Sequence, residues 1–363
     1  MNTKSHPYKS LPDKAFWRRS VASPPPGQVD PVGVFALRIT QKTRVATAGS
    51  CFAQHIARHL RQSGFHYYVA ETGHPILPQD VRDAHHYGVF SARYGNIYTA
   101  RQLLQLLHRA YGRFVPVEDA WREADGSVLD PYRPSVQPRG FVSIGEMQAD
   151  RAQHLAAVRR MFETLDVFVF TLGLTECWMN RADGAVFPLC PGVEGGAFDP
   201  RQHVFHNQDV GEVVADMSEF IQEMATINPK ASIVLTVSPV PLMATAQEGE
   251  HVLSATTYSK SVLRVAAETL RRRFRQVHYF PSYEIVTGPQ ARGSYFATDL
   301  RSVTEEGVAH VMRLFLQHAA GIDAGHGIPV GQADEARGGR QDDFVARAQA
   351  LVEVECDEIA LDR

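Results

Sequence analysis

VATAGSCFA, residues 45–53, joins a short apolar run to the start of a second apolar pattern through a Gly-Ser pair. The run Val45-Ala46-Thr47-Ala48 predicts a buried strand. The apolar residues that follow lie on one face of a predicted helix, which ends near Gly64: Ala53, Ile56, Ala57 and Leu60. A strand that turns through glycine into a helix predicts the first βα unit of an α/β fold.

The same alternation of buried strands and amphipathic helices continues along the chain. Further strands are predicted at 167–172, 233–237 and 277–280. Further helices are predicted around 103–110, 155–162, 213–224, 263–270 and 308–315. Continuous apolar strands are typical of a sheet covered on both faces, and right-handed crossovers make such strands parallel. We therefore predict an α/β protein with a parallel sheet flanked by helices.

The loops after the strands are the expected place for chemistry. In open parallel sheets, ligands and functional side chains lie beyond the C-terminal ends of the strands. In this chain the loops concerned are 49–53, 173–178, 238–256 and 281–303.

Length and composition indicate one large globular domain with peripheral segments. The chain has 363 residues, of which 44% are hydrophobic and 21% charged, and its formal net charge is −3. We predict an N-terminal arm over 1–42, a large central domain over 43–319, and a linker with a tail helix over 320–363. A net charge near zero gives no basis for a nucleic-acid partner or an anionic membrane.

Several kinds of site and location are not expected. Four cysteines lie far apart without a CxxC pair, which indicates reduced thiols and no metal site. No phosphate-binding GxxxxGK[ST] or GxGxxG motif is present, and we expect no cofactor. No apolar run approaches the ~18 to 20 residues that span a bilayer, and the N-terminus lacks the apolar stretch of a secretory signal. We therefore expect a soluble, cytoplasmic protein without a membrane span.

Ser50 is the best candidate for a nucleophile. Gly49 lets the chain turn sharply out of the strand, which presents the Ser50 hydroxyl at a helix N-terminus. Backbone N–H groups and the helix dipole favour a developing oxyanion there. The alternative is that Ser50 only caps the helix. Cys51 is a rival nucleophile at the start of the same helix, although packing is the simpler role for it.

Two further segments offer polar groups to the same place. Gly173 and the residues up to Trp178 follow the most apolar strand, and this turn can aim a backbone N–H towards Ser50. Gly95-Asn96 is a tight-turn signal before a helix, and Asn96 could donate its side-chain amide to an oxyanion. Each segment could equally be an ordinary turn.

Blocks of the sequence resemble one protein family in order. Residues 49–53 spell GSCFA. The other blocks are YGNIYT at 94–99, FTLGLTE at 170–176, LTVSPVPL at 235–242, SKSVLR at 259–264 and YFPSYEI at 279–285. Over roughly 45–315 the chain resembles the GSCFA-domain family, which is grouped with the SGNH, or GDSL-like, esterases.

The resemblance implies a fold and a chemistry. The fold implied is the three-layer, flavodoxin-like sheet of the SGNH hydrolases, parallel and flanked by helices. Ser50 takes the place of the nucleophile in this resemblance. Gly95 and Asn96 resemble the second block of the wider group, which contributes to the oxyanion hole.

Two later blocks depart from the pattern of the wider group. Gly173, Thr175 and Glu176 fall in the place of a Gly-x-Asn-Asp block, where Thr175 replaces the Asn. A threonine hydroxyl can still donate to an oxyanion. Asp299 falls in the place of an Asp-x-x-His block, where Ser302 replaces the histidine.

A serine without a base is a weak nucleophile at neutral pH. Either another histidine serves, or the chain is not a hydrolase of the standard sort. His251 is our candidate because it follows the strand at 233–237 and precedes a predicted helix, and Asp299 could orient its ring. The histidines ranked after it, each with an alternative structural role, are His203, His206, His74 and His310.

We therefore expect a serine-dependent acyl-ester hydrolase or O-acyltransferase that acts on a hydroxylated small molecule or a glycan. The alternative from another class is a non-catalytic carbohydrate-binding or biosynthetic accessory protein on an SGNH scaffold, which the missing histidine favours. Thiol chemistry at Cys51 is a third option.

Overall fold

The computed structural model describes residues 6–321, apart from the side chain of Cys51. The predicted linker and tail helix lie almost wholly outside the described residues. The strands in chain order are β1 Val45–Gly49, β2 Trp121–Arg122, β3 Val128–Leu129, β4 Val167–Leu172, β5 Glu176–Asn180, β6 Val186–Phe187, β7 His203–Asn207, β8 Ser232–Val237 and β9 Val277–Tyr279. The helices are α1 Cys51–Gln62, α2 Gln79–Ala84, α3 Ala100–Ala110, α4 Ile144–Thr164, α5 Val210–Ile227, α6 Val252–Arg273, α7 Ser282–Thr287 and α8 Glu305–Ala320.

The central sheet has four parallel strands in the order β1-β4-β8-β9. Val45 pairs with Val167, Val167 with Ser232, and Ile233 with Val277. A further parallel bridge joins Val45 to Tyr67 on the outer side of β1. The predicted parallel sheet is therefore confirmed, and a short extended segment at Tyr67 lies beside its first strand.

Helices cover both faces of this sheet because its strands alternate between two apolar clusters. Phe168 and Phe170 of β4 pack in a cluster with α3, α4, α5 and α6. Val167 and Val169 pack in the other cluster with α1, α7 and α8. All six residues of β4 are buried, as expected for a strand covered on both faces.

A small antiparallel sheet follows β4 and was not predicted. β5 lies between β6 and β7, and Glu176 starts β5 only four residues after β4 ends. The loop predicted over 173–178 therefore ends at Thr175. This placement brings the small sheet to the C-terminal edge of the central sheet.

The N-terminal arm is packed against the end of the domain. Phe35 contacts the rings of Phe280 and Phe315, and the backbone N–H of Ile39 donates to the carbonyl of Ala319 at 2.8 Å. Within residues 6–321, none of the helices is long and apolar enough to span a bilayer.

Candidate active site

The C-terminal ends of β1 and β4 lie side by side at the point where the chain changes direction across the sheet. Gly49 at the end of β1 pairs with Thr171 of β4. After β1 the chain reaches the outer edge at Tyr67, whereas after β4 it continues to β8 on the other side. Loops that diverge in this way leave a crevice between them, which is the usual binding place in open α/β sheets.

Gly49 makes the turn from β1 into α1 possible. Its φ is +142°, and an added Cβ would lie 2.5 Å from the carbonyl oxygen and 2.7 Å from the Cβ of Thr171. Any other residue would have to move the backbone of β4, so only glycine fits. The turn places Ser50 at the N-cap of α1.

The hydroxyl of Ser50 does not cap its own helix. Ser50 is 4% exposed, and its buried Oγ has no hydrogen-bond partner among the described residues. Four N-cap residues elsewhere in the described chain accept a bond from the backbone N–H three residues on: Thr99, Ser143, Asp209 and Thr304. Buried hydroxyls are nearly always hydrogen-bonded, and an exception needs an explanation. The capping alternative therefore does not account for Ser50.

Gly173 packs directly against Ser50. An added Cβ on Gly173 would lie 3.3 Å from the Cβ of Ser50 and 3.1 Å from the carbonyl oxygen of Tyr98. The backbone N–H groups of Gly173 and Leu174 both donate to that carbonyl, at 3.1 and 3.0 Å. The N–H of Gly173 is thus engaged by Tyr98 in this structure.

The Gly95-Asn96 turn lies at the end of β1. The backbone N–H of Ile97 donates to the carbonyl of Gly49 at 2.9 Å, which holds the turn beside the GSCFA segment. Asn96 is 2% exposed, and its Oδ1 accepts a 3.5 Å bond from Gln54 on α1. Its side-chain amide is therefore buried next to the first turn of α1.

Two residues of α6 form hydrogen bonds with the backbone of the loop after β4. The Nζ of Lys260, a residue only 2% exposed, donates to the carbonyl of Gly173 at 2.7 Å. The Oγ of Ser259 accepts from the backbone N–H of Thr175 at 3.1 Å. A buried ammonium group thus contacts the residue that packs against Ser50.

Lys260 was missed by our sequence analysis, although a signal was present. The predicted apolar face of this helix begins at Leu263, and residues three and four positions earlier lie on the same face. Those positions are Ser259 and Lys260, inside the SKSVLR block. Polar residues that continue an apolar stripe predict a buried polar contact.

The side chains of Thr175 and Glu176 are hydrogen-bonded to groups other than Ser50. The hydroxyl of Thr175 donates to Oδ1 of Asn207 at 2.6 Å, so its proton is already engaged. Glu176 accepts from the hydroxyl of Thr245 at 2.7 Å and from the backbone N–H of Ala246 at 3.4 Å. Burial raises the pKa of the Glu176 carboxyl.

His251 lies at the surface at the N-cap of α6. Its Nδ1 accepts a bond from the backbone N–H of Leu253 at 3.1 Å. Lys260 is nine residues further on, so at 1.5 Å per residue the backbone of His251 lies about 13 Å along the helix axis from that of Lys260. Among the described hydrogen bonds, none joins His251 to Ser50 or to Gly173.

Asp299 is occupied by its own turn. Its Oδ1 accepts from the backbone N–H groups of Arg301 and Ser302 at 3.0 and 2.9 Å, and its Oδ2 accepts from the hydroxyl of Ser302 at 2.6 Å. Burial raises the pKa of Asp299, but these hydrogen bonds outweigh it and lower the pKa. Among the described hydrogen bonds, none joins Asp299 to a histidine. The side-chain partner of the Asp299 carboxylate is instead the hydroxyl of Ser302.

A comparison with protein-family models finds these segments within one family domain. The model of the GSCFA family matches residues 44–315, which is most of the chain. The protein belongs to the GSCFA family. No curated protein and no solved structure matches the chain. The GSCFA domain runs from β1 to α8, so every candidate residue named above lies inside it.

The other histidines considered for this GSCFA domain have partners away from Ser50. The contacts are His203 with Glu118 at 2.9 Å, His206 with Glu212 at 2.8 Å, His74 with the backbone N–H of Ile76 at 3.2 Å, and His310 with the hydroxyl of Tyr295 at 2.9 Å. None of these contacts within the described residues involves a group beside Ser50.

One acidic cluster of the GSCFA domain has the composition of a metal site. His108 on α3 lies close to Glu219 and Glu223 on α5. Arg113, however, donates to both oxygens of Glu223, at 2.7 and 2.6 Å. The guanidinium group of Arg113 therefore already neutralises the carboxylate of Glu223, as a metal ion would.

Proposed function

We propose that the protein is a serine-dependent acyl-ester hydrolase or O-acyltransferase with Ser50 as its nucleophile. The observation that carries this proposal is the buried hydroxyl of Ser50, which sits at a helix N-terminus without capping that helix. A hydroxyl kept out of the structural hydrogen bonds retains its lone pairs, and a substrate reaches them when the segments that cover Ser50 open. Its place at the junction of β1 and β4 is also where open α/β sheets bind ligands.

In the reaction proposed, the Oγ of Ser50 attacks the carbonyl carbon of an ester. The first-turn N–H groups of α1 and the side-chain amide of Asn96 stabilise the oxyanion, since both lie beside Ser50. Collapse of the intermediate expels the alcohol and leaves an acyl group on Ser50. Water or a second alcohol then takes that acyl group, which gives hydrolysis or transfer.

Two residues compete for the role of proton acceptor. His251 remains our sequence-based prediction, with Asp299 as its partner, and the segment before α6 must move towards Ser50 for it to act. Lys260 already contacts Gly173, next to Ser50, and a buried lysine can serve as a base when it is neutral. The variants His251→Ala and Lys260→Met distinguish these two roles.

We further propose that the fold is that of the SGNH hydrolases. If the segment at Tyr67 is counted as the second strand, the sheet order is 2-1-3-4-5. This is the flavodoxin-like order, whose switch point lies between the first and third strands. We also propose a cytoplasmic location, which the unpaired thiols of Cys177 and Cys190 support. The alcohol portion of the substrate is proposed to be a hydroxylated small molecule or a glycan.

The test is covalent labelling with a fluorophosphonate probe followed by peptide mass spectrometry. We expect the label on Ser50 in the wild-type protein and its loss in Ser50→Ala. Ser143→Ala, which removes a serine hydroxyl from another helix N-cap, should label as the wild type does. A folded wild-type protein that acquires no label at Ser50 would contradict the proposal.

A non-catalytic accessory protein on the same scaffold is the second candidate. It is favoured by Ser302, which engages Asp299 where the wider group has a histidine, and by the burial of the Ser50 hydroxyl. This candidate requires that an acetylated oligosaccharide bind equally to wild type and Ser50→Ala, with no release of acetate. Acetate release by the wild type alone would exclude it.

A further inference from the structure

A cavity of about 240 Å³ lies between the small sheet and the loop after β8. Its walls are mainly apolar and aromatic, and they include Trp178, Phe187, Leu189, Phe205 and Leu242. Phe187, Leu189 and Leu242 are buried at its base, whereas the exposed Ala244 and Ala246 form its rim. It is therefore an apolar cleft that opens to solvent.

The cavity lies on the other side of the loop that packs against Ser50. Tyr98 and Leu174 line the cavity, and the N–H groups of Gly173 and Leu174 both donate to the carbonyl of Tyr98. Gly173 packs against Ser50, while its neighbour Leu174 faces the cavity. One short loop thus separates the candidate nucleophile from the cavity.

We propose that this cavity binds the acyl chain of the ester, and that the chain is apolar and of medium length. The inference rests on the proposed function of Ser50 and names the substrate class for that site. An acyl chain attached to a carbonyl at Ser50 would pass Leu174 and fill the cavity, where it would contact Trp178 and Phe205.

The size of the cavity sets the chain length. A water molecule in the liquid occupies about 30 Å³. At about 240 Å³ the cavity is several times larger than that, so it has room for a chain much longer than an acetyl group. An acetyl group would leave most of the cavity unfilled and forgo the contacts that its walls offer.

The polar groups of the wall favour an uncharged ligand. Burial raises the pKa of the Cys177 thiol to about 12 and that of Cys190 to about 11, so both remain neutral. The carboxyl of Glu176 also lines the cavity and would repel an anion when ionised. An acyl chain is uncharged and suits such a wall.

The first arm of the test compares the hydrolysis of p-nitrophenyl octanoate and p-nitrophenyl acetate. We expect kcat/KM to favour the octanoate by at least about tenfold, given the gain from each buried methylene. Val193→Trp fills the cavity and should lower this preference at least about tenfold. Val142→Trp, at a position 87% exposed and outside the cavity wall, should leave it unchanged.

Ala244→Trp provides a second block of the cavity at its exposed rim, where folding is not at risk. If the wild type prefers the acetate, or if both blocking variants keep the wild-type preference for the octanoate, the inference is overturned.

The second arm uses binding alone, so that it is independent of turnover. Calorimetric titration of Ser50→Ala with octanamide should show binding that acetamide does not show and that Val193→Trp abolishes. Binding of octanamide by a protein that hydrolyses neither ester would contradict the proposed function and support the cavity as an acyl site. Turnover of both esters without a chain-length preference would support the function and overturn the inference.

Discussion

A single hydroxyl distinguishes the GSCFA turn from an ordinary strand-to-helix turn. Serine is a favoured N-cap residue because its oxygen accepts a bond from the first helical turn. Ser50 occupies that position but makes no such bond, and it is buried. Replacing Ser50 by alanine should therefore not lower the free energy of unfolding in the way that replacing a capping residue does.

Ser50→Ala is expected to change the free energy of unfolding by less than about 0.5 kcal/mol, or to raise it, because no hydrogen bond is lost. Ser143→Ala should lower the free energy of unfolding by about 1 kcal/mol, since it removes a real cap. Urea denaturation of both variants measures the difference. A loss in Ser50→Ala as large as that in Ser143→Ala would mean that the hydroxyl is engaged in the native protein.

The position of Ser50 could be predicted from the sequence because everything that fixes it is local. A strand, a glycine and an amphipathic helix occur within twenty residues, and each has a clear pattern. The groups around Ser50 could be predicted only in part. Gly173 follows a recognisable strand, but the engagement of its N–H by Tyr98 depends on a contact between residues 75 positions apart in the chain.

Strands that pair with distant residues were among the elements that could not be predicted from the sequence. β5 and β7 are five residues each, and their pairing joins Glu176 to Asn207 and Asn180 to His203 across a long connection. Short strands with polar ends give little alternation to detect. The parallel strands of the central sheet are continuous apolar runs, and they were detected for that reason.

α6 lies far along the chain from Ser50, but its residues contact the loop that packs against Ser50. Lys260 on this helix donates to the carbonyl of Gly173, and Ser259 accepts from the backbone of Thr175. The helix thus determines where the loop after β4 lies relative to Ser50. Removal of the Lys260 ammonium would leave the carbonyl of Gly173 buried without this donor.

Lys260→Met is expected to slow fluorophosphonate labelling of Ser50 by at least about tenfold, because a small displacement of a site residue has effects of this size or larger. The free energy of unfolding should fall by about 1 to 3 kcal/mol through the lost hydrogen bond. Lys230→Met, at an exposed turn, should change neither quantity. Labelling at the wild-type rate in folded Lys260→Met would show that α6 does not position the site.

At the scale of the whole molecule, a buried ionic cluster joins parts of the chain that no sheet connects. Arg133 donates to Asp130 at 3.0 Å and to Asp150 of α4 at 2.9 Å. Arg93 donates to the same Asp150 at 2.9 Å and lies 3.6 Å from Glu71. Residues 71–93 and 130–133 have few regular elements, so these ion pairs fix their place against α4.

The strength of this cluster follows from its burial. The side chain of Arg133 is 1% exposed and that of Asp130 is 0% exposed, so neither charge can be rehydrated when its partner is removed. Arg133→Met should therefore lower the free energy of unfolding by about 3 to 5 kcal/mol. Arg113→Met removes a comparable arginine whose side chain is 46% exposed, and it should cost less than about 1 kcal/mol. Urea denaturation compares the two variants, and equal losses would mean that the cluster does not hold these segments together.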